Sequence, residues 1–337
     1  MEIVETQVTK EIKMKIGLRN LLYIYQHSPV FYVNYDTFGD NYFLQIEKIC
    51  SFQSISMPSI TDLQKTAAQV RRDIIRMINT SASGHPGGSL GCADFMVTLY
   101  FEIMKPDPKK FTIDGIGEDL FFLSNGHIAP VWYSVLARYG YFDIKELGTL
   151  RKLGSRLQGH PTTHDGLPGI RISAGSLGQG LSAALGAALT KKLNKDPKLV
   201  YCLMGDGELE EGQNWEALMF GAGKKVDNII AVVDYNGQQI DGTIREVLDL
   251  TNLREKFEAF GWLVLEMNGH DIPEIIKIMG EAKALSGKGK PIMILMHTHM
   301  GCGVDFMMDN HEWHGTAPSN EQTEKALAQL PETMGDY

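Results

Sequence analysis

The chain has 337 residues, enough for one large α/β domain or two smaller ones. Its residues are 43% hydrophobic and 22% charged, and no apolar run reaches the roughly 18 positions of a membrane-spanning helix, so no membrane role is expected. With 41 acidic against 32 basic side chains the formal charge is −9, which argues against a nucleic-acid binder and its basic footprint.

Residues 1–57 stand apart. They hold Tyr23, Tyr25, Phe31, Tyr32, Tyr35, Phe38, Tyr42 and Phe43 with no helical or strand period. Glu2, Glu5, Glu11, Asp36 and Asp40 argue against a mitochondrial presequence, which is poor in acids. The segment reads either as an added docking extension of unknown role or as a misassigned start, with Met57 the initiator. The main domain is expected over 58–337. It opens with a helix capped by Ser59 or Thr61, whose apolar positions Leu63, Ala67, Val70, Ile74, Met77 and Ile78 recur at helical spacing. The loop 84–89, Gly-His-Pro-Gly-Gly-Ser, is suited to holding His85 at a fixed place, though a plain loop with a surface histidine looks the same. A helix is expected over about 91–104. Leu120 to Leu123 reads as a buried strand that delivers Ser124-Asn125-Gly126-His127 to its carboxyl end, before a helix at 129–138.

Arg156, His160 and His164 follow in a polar stretch, where Pro161 breaks the helix that a zinc-binding histidine pair would need. Gly175-Ser176-Leu177-Gly178-Gln179-Gly180 opens a small-residue helix at 181–189. Glycines there let free N–H groups approach a phosphate, although a tight strand-to-helix turn carries the same glycines. Two short apolar runs, 199–204 and 229–235, read as parallel strands buried on both faces and joined by a crossover helix within 208–223. Asp206, within Gly205-Asp206-Gly207, and Asn236 then stand at neighbouring strand ends, where open α/β sheets bind ligands. Their oxygens, with the Gln238 carbonyl, suit a hard divalent cation that shares phosphate oxygens with its ligand. Of the acids that follow, Glu208 and Glu210 are expected at a solvated helix start. Glu211 is set apart for a structural or subunit-coupling role. Strands at 263–267 and 292–296 and helices near 252–260 and 273–286 complete an α/β fold, a parallel sheet flanked by helices on both faces. His297 with His299, and His311 with His314, invite a zinc reading; proton handling around hydroxyl and carbonyl groups suits them better. Cys50, Cys92, Cys202 and Cys302 form no C-x-x-C pair, as expected of small buried residues in the reducing cytoplasm.

Taken in order, segments 84–89 with Ala93-Asp94, 123–127, 153–161, 175–180, 205–212, 234–242 and 313–318 resemble the amino-terminal half of transketolase. Thr298-His299-Met300-Gly301-Cys302-Gly303, with Phe306, Met307 and Trp313-His314-Gly315, look like transketolases whose two halves are separate polypeptides. The resemblance implies a thiamine-diphosphate-binding fold and transfer of a two-carbon ketol unit from a ketose phosphate to an aldose phosphate. It assigns Mg²⁺, or Ca²⁺ or Mn²⁺ in its place, to Asp206, Asn236 and the Gln238 carbonyl. His127, Gly175, Ser176, Leu177, Gly207, Glu211, Asn236, Ile240 and His314 are its cofactor residues, and His85, His160 and His314 line the substrate channel. Ser176 departs from the proline of some members, which loses a stiffer turn and keeps the backbone donors. The resemblance further implies a separate carboxyl-terminal subunit that brings the pyrimidine-activating glutamate, in an α2β2 assembly. The alternatives are a noncatalytic regulatory cofactor-binding subunit, or a subunit of another enzyme of the same cofactor class, such as a specialised-sugar transketolase, a dihydroxyacetone synthase-like protein or a 2-oxo acid dehydrogenase.

Overall fold

The computed structural model describes residues 34–38, 41–45 and 58–337. The chain divides into two compact units, Met1–Met57 and Pro58–Tyr337. In the first, β1 (Asn34–Phe38) and β2 (Asn41–Gln45) pair as an antiparallel hairpin. The two readings of residues 1–57 otherwise lie outside the described residues.

The second unit begins with α1 (Ile60–Ser81), started by a reciprocal capping box between Ser59 and Asp62. The helix expected over 91–104 is broken into α2 (Pro86–Gly91), α3 (Ala93–Thr98) and a π-helical segment, Leu99–Met104. The break falls where the backbone of His299 presses on Gly91; a Cβ there would lie 3.0 Å from the His299 carbonyl oxygen. After β3 (Leu120–Leu123) come α4 (Ala129–Tyr139), α5 (Gly180–Leu193), β4 (Val200–Gly205), α6 (Gly212–Gly223) and β5 (Ile229–Tyr235). A two-rung hairpin, β6 (Gln238–Gln239) and β7 (Gly242–Thr243), and the short α7 (Ile244–Leu248) were not foreseen. The remainder is α8 (Leu253–Ala259), β8 (Leu263–Asn268), α9 (Ile272–Leu285), β9 (Ile292–His297) and α10 (Asn320–Gln329).

Five strands form one sheet in the order β3-β4-β5-β9-β8, every neighbouring pair parallel, as the fold-class reading expected. Side chains alternate across it and divide the core in two. Leu123, Leu203, Val232 and Ile294 pack with α1, α3, α4 and α9. Phe122, Cys202, Ala231 and Met293 pack with α5, α6 and α8 on the opposite face. A buried ion pair locks α1 to α4: Asp73 accepts from Arg138 Nε and Nη2, both at 2.7 Å, and from Ser134 Oγ at 2.7 Å. The register sets Leu123 beside Leu203 and Gly205 beside Asp234, so the loops leaving β3, β4 and β5 emerge side by side.

Candidate active site

A cleft of about 280 Å³ opens at these three strand ends. Its lining includes Asn125 after β3, Gly175 and Leu177 from the glycine loop, Asp206 to Glu208 after β4, and Asp234, Asn236 and Gln238 at the end of β5. Four histidines from four separate segments complete the wall. His85 caps α2, His127 lies in the short 3₁₀ turn Gly126–Ile128, His160 comes from the loop before the glycine stretch, and His314 follows the 3₁₀ turn His311–Trp313. Ring centroids lie 5.0 Å apart for His85 and His127, 5.7 Å for His85 and His314, 5.1 Å for His127 and His314, and 6.5 Å for His85 and His160. Gly175 makes this packing possible: its φ is +140°, and a Cβ would lie 3.0 Å from the His160 ring.

Burial keeps the imidazoles neutral. It is the leading cause of the depressed pKa of His85, lowered to about 4, with His314, Arg151 and His160 adding repulsion. Burial, then the same neighbouring rings, holds His127 well below the ordinary histidine range. Burial lowers His160, with help from Arg151, and it lowers His314. Neutral rings at pH 7 have a nitrogen free to accept a proton. Buried His85 Nδ1 and Asn125 Oδ1 have no hydrogen-bond partner among the described residues, which leaves polar atoms on the cleft wall for a ligand.

Opposite stands an oxygen cluster. Asp206 is only 2% exposed; its Oδ1 accepts from the Gly207 N–H at 2.8 Å and its Oδ2 from the Gly237 N–H at 2.6 Å. Burial, followed by the neighbouring Asp234, raises its pKa to about 8, and only backbone N–H groups act in the opposite sense. Asp234 accepts from the Asn236 Nδ2 at 2.9 Å and from the Thr298 hydroxyl, while Asn236 Oδ1 accepts from the Gln238 N–H at 2.9 Å. The Asn236 amide is thereby oriented at both ends. A buried carboxylate beside an amide oxygen and the carbonyls of a tight turn fits a hard divalent cation, which would offset the buried charge.

The cleft thus unites His85, His127, His160, Gly175, Leu177, Asp206, Gly207, Asn236, Gln238, Ile240 and His314. Ile240 stands at its edge, 60% exposed. Ser176 and Glu211 are not among its lining residues; Ser176 Oγ accepts from Gln179 and Glu211 is exposed, packed over Gly178. The reading of Glu208 as a solvated dipole partner is corrected: it is 2% exposed, because the 3₁₀ turn Gly207–Glu210 swings it inward under the strand ends. Its carboxylate accepts from the Ser124 hydroxyl, from the Gly178 N–H at 2.8 Å and from the Gly205 N–H at 3.1 Å. The glycine loop also differs from an open row of phosphate donors, since Gly178 donates to Glu208 and Gly180 to Ser124 Oγ at 3.0 Å. Sequence reasoning gave no role to Asn125 or Gln239, although both lie in the segments 123–127 and 234–242 that carry the resemblance. His164 lies outside the cleft beside Asp165. His297 pairs with Glu266 at 2.8 Å and His299 with Asp309 at 2.9 Å, and among the described residues no group of three or more His, Cys, Asp or Glu is arranged to hold a metal ion.

The family described as "Transketolase, thiamine diphosphate binding domain" matches residues 63–332. The chain is 40% identical over 270 residues to the 6-deoxy-6-sulfo-D-fructose transketolase subunit SqwG of a Clostridium species, covering 80% of this chain and 96% of that one. It is 37% identical over 277 residues to an apulose-4-phosphate transketolase subunit of Phocaeicola vulgatus, with 82% and 96% covered. Human transketolase is 35% identical over 286 residues, 83% of this chain and 44% of that protein. The crystal structure of transketolase from Campylobacter jejuni superposes with a TM-score of 0.74 at 33% identity, covering 81% of this chain and 43% of that one. The chain therefore spans less than half of the full-length transketolases it matches and nearly all of the relatives named as subunits. Thiamine diphosphate with a divalent cation is the group that such a cleft serves, and the chain belongs to the transketolase family as its thiamine-diphosphate-binding domain.

Proposed function

We propose that this chain is the amino-terminal subunit of a two-chain transketolase that moves a two-carbon ketol unit from a ketose phosphate to an aldose phosphate. The observation that carries the reading is one cleft with a buried oxygen cluster on one wall and four neutral histidines on the other. Asp206, Asn236 and the Gln238 carbonyl would hold Mg²⁺. His127, Gly175, Leu177, Gly207, Asn236, Ile240 and His314 would hold thiamine diphosphate, with Ser176 outside the cleft lining. The electron-accepting chemistry that carbon–carbon cleavage requires is supplied by that cofactor when bound. His85 or His314 takes the proton of the ketose C3 hydroxyl as the C2–C3 bond breaks, and a neutral ring is the form that can do so. His160 orients the sugar hydroxyls. Glu211, on the outer surface, is assigned to contact between subunits.

A carboxyl-terminal subunit brings the pyrimidine-activating glutamate, and α2β2 is the assembly we expect, in the cytoplasm. Among the described residues no helix is long and apolar enough to cross a membrane. Pentose phosphates are the first substrates to test. The names of the subunit-type relatives favour a second reading, in which the ketose is a branched or sulfonated sugar. The test is turnover of xylulose 5-phosphate with ribose 5-phosphate, Mg²⁺ and cofactor, by the chain alone and with its partner. Activity only in the presence of both chains is expected; full activity of the chain alone would overturn the two-subunit reading.

A further inference from the structure

Resting on the reading of the cleft as a thiamine diphosphate site, we infer that Glu208 is a positioning residue that ties three cofactor-binding segments into one preorganised cradle. Three donors converge on its two carboxylate oxygens. Oε1 accepts from the Ser124 hydroxyl at the end of β3 and from the Gly178 N–H in the glycine loop, and Oε2 accepts from the Gly205 N–H at the end of β4. Ser124 Oγ in turn accepts from the Gly180 N–H at 3.0 Å, which adds the first residue of α5 to the same knot. The Glu208 carbonyl accepts from Asn214 Nδ2 at 2.6 Å and so secures the start of α6. Each tied point lies next to a ligand-facing residue: Ser124 precedes Asn125, Gly178 follows Leu177, and Gly205 precedes Asp206.

The chemistry of the side chain argues for position rather than contact. All three partners donate, so the site needs an acceptor-only group with two oxygens, which an ionised carboxylate is and an amide is not. Its negative charge has the wrong sign to be a ligand of a diphosphate. Gly180 shows how close the segments are drawn, since a Cβ there would come within 2.5 Å of Ser124 Cα.

The test uses the full chain in complex with its carboxyl-terminal subunit, titrated with thiamine diphosphate at saturating Mg²⁺. Glu208→Gln places an amide donor against a backbone donor. It is expected to weaken cofactor binding by about tenfold or more, the scale of a lost charge-assisted hydrogen bond. At saturating cofactor its kcat should stay within about threefold of wild type, because no reacting atom is touched. Hydrogen exchange should quicken in the segment 175–180 while β4 and β5 stay protected. Ser124→Ala should weaken binding less, and its effect should shrink in the Glu208→Gln background, since both act through one network. Wild-type cofactor affinity in Glu208→Gln, a loss confined to kcat, or strict additivity with Ser124→Ala would overturn the inference. If Glu208→Gln does not fold, wild-type affinity in Ser124→Ala does the same. Failure of the wild-type complex to bind the cofactor would overturn the reading of the cleft itself.

Discussion

Four imidazoles, each with a neighbouring ring centre 5.0 to 6.5 Å away, cannot all carry charge in a half-dry cleft, and this shapes both chemistry and acid stability. For His85 the folded pKa is about 4 against an ordinary 6.5. Between those values the unfolded chain binds more protons than the folded one, so stability rises with pH across that window. The contribution is present above the unfolded value and is lost as pH falls toward the folded one. His85→Asn should therefore flatten the dependence of urea-unfolding free energy on pH in that interval by up to one proton. An unchanged slope would mean that His85 does not titrate as a buried ring. On the opposite wall, Asp206→Ala should abolish Mg²⁺-dependent cofactor binding in calorimetry. Wild-type affinity in that variant would place the metal elsewhere. Much of this wall is legible from residue type and spacing, because a Gly-Asp-Gly at one strand end and an asparagine at the next admit few arrangements. The adjacent acids do not read that way. Glu208, Glu210 and Glu211 look alike as letters, and it is their places in the 3₁₀ turn Gly207–Glu210 that send Glu208 inward and leave Glu211, just past the turn, out in solvent.

Elements docked through single buried polar contacts are the places where stability is most exposed to substitution. Asp73 is fully buried between α1 and α4 and has Arg138 as its counter-charge, so Asp73→Ala removes the ion-pair partner of a largely buried guanidinium and leaves it the Gly335 carbonyl as acceptor. A loss of about 3–5 kcal/mol is expected in denaturant unfolding, the usual scale for breaking such a pair. A loss under about 1 kcal/mol would mean that the pair behaves as a surface contact. At the glycine loop, Gly175→Ala forces a Cβ onto a backbone at φ +140° and against the His160 ring. Cofactor affinity should fall at least as far as for Glu208→Gln, with a loss of about 1–3 kcal/mol in unfolding free energy from the strained backbone; equal affinity would show that the loop adjusts freely. Strands and long helices are legible because both follow simple periods: β4 and β5 are unbroken apolar runs, and α1 repeats its apolar positions. The α10 helix had a legible start too, in the Ser319-to-Gln322 capping box, but its weakly apolar face hides it. The β6–β7 hairpin is shorter than any periodic signal, although Gly237 at φ +71° marks the turn that begins it.

For the whole molecule, the sheet supplies a rigid edge while the cleft itself comes from loops separated by more than two hundred positions, from His85 to His314. Binding to such a site stabilises the whole fold, and that gain can be read globally. A ligand that binds only the folded state at about 100 times its dissociation constant adds about 2.7 kcal/mol. The unit Pro58–Tyr337 is larger than the 150–250-residue domains that shift by about 2–4 °C per kcal/mol, so the low end of that scale applies and the rise in the midpoint is about 5 °C. Thiamine diphosphate with Mg²⁺ should produce that rise in the two-chain complex, and a chelator should reverse it, because without the cation the buried Asp206, its pKa raised to about 8, either keeps its proton or faces the diphosphate with like charge. On the proposed two-subunit reading the chain alone should shift by less, since it spans under half of a full-length transketolase. An equal shift with and without the partner would place the whole cofactor grip on this chain. A shift that survives chelation would remove the cation from that grip.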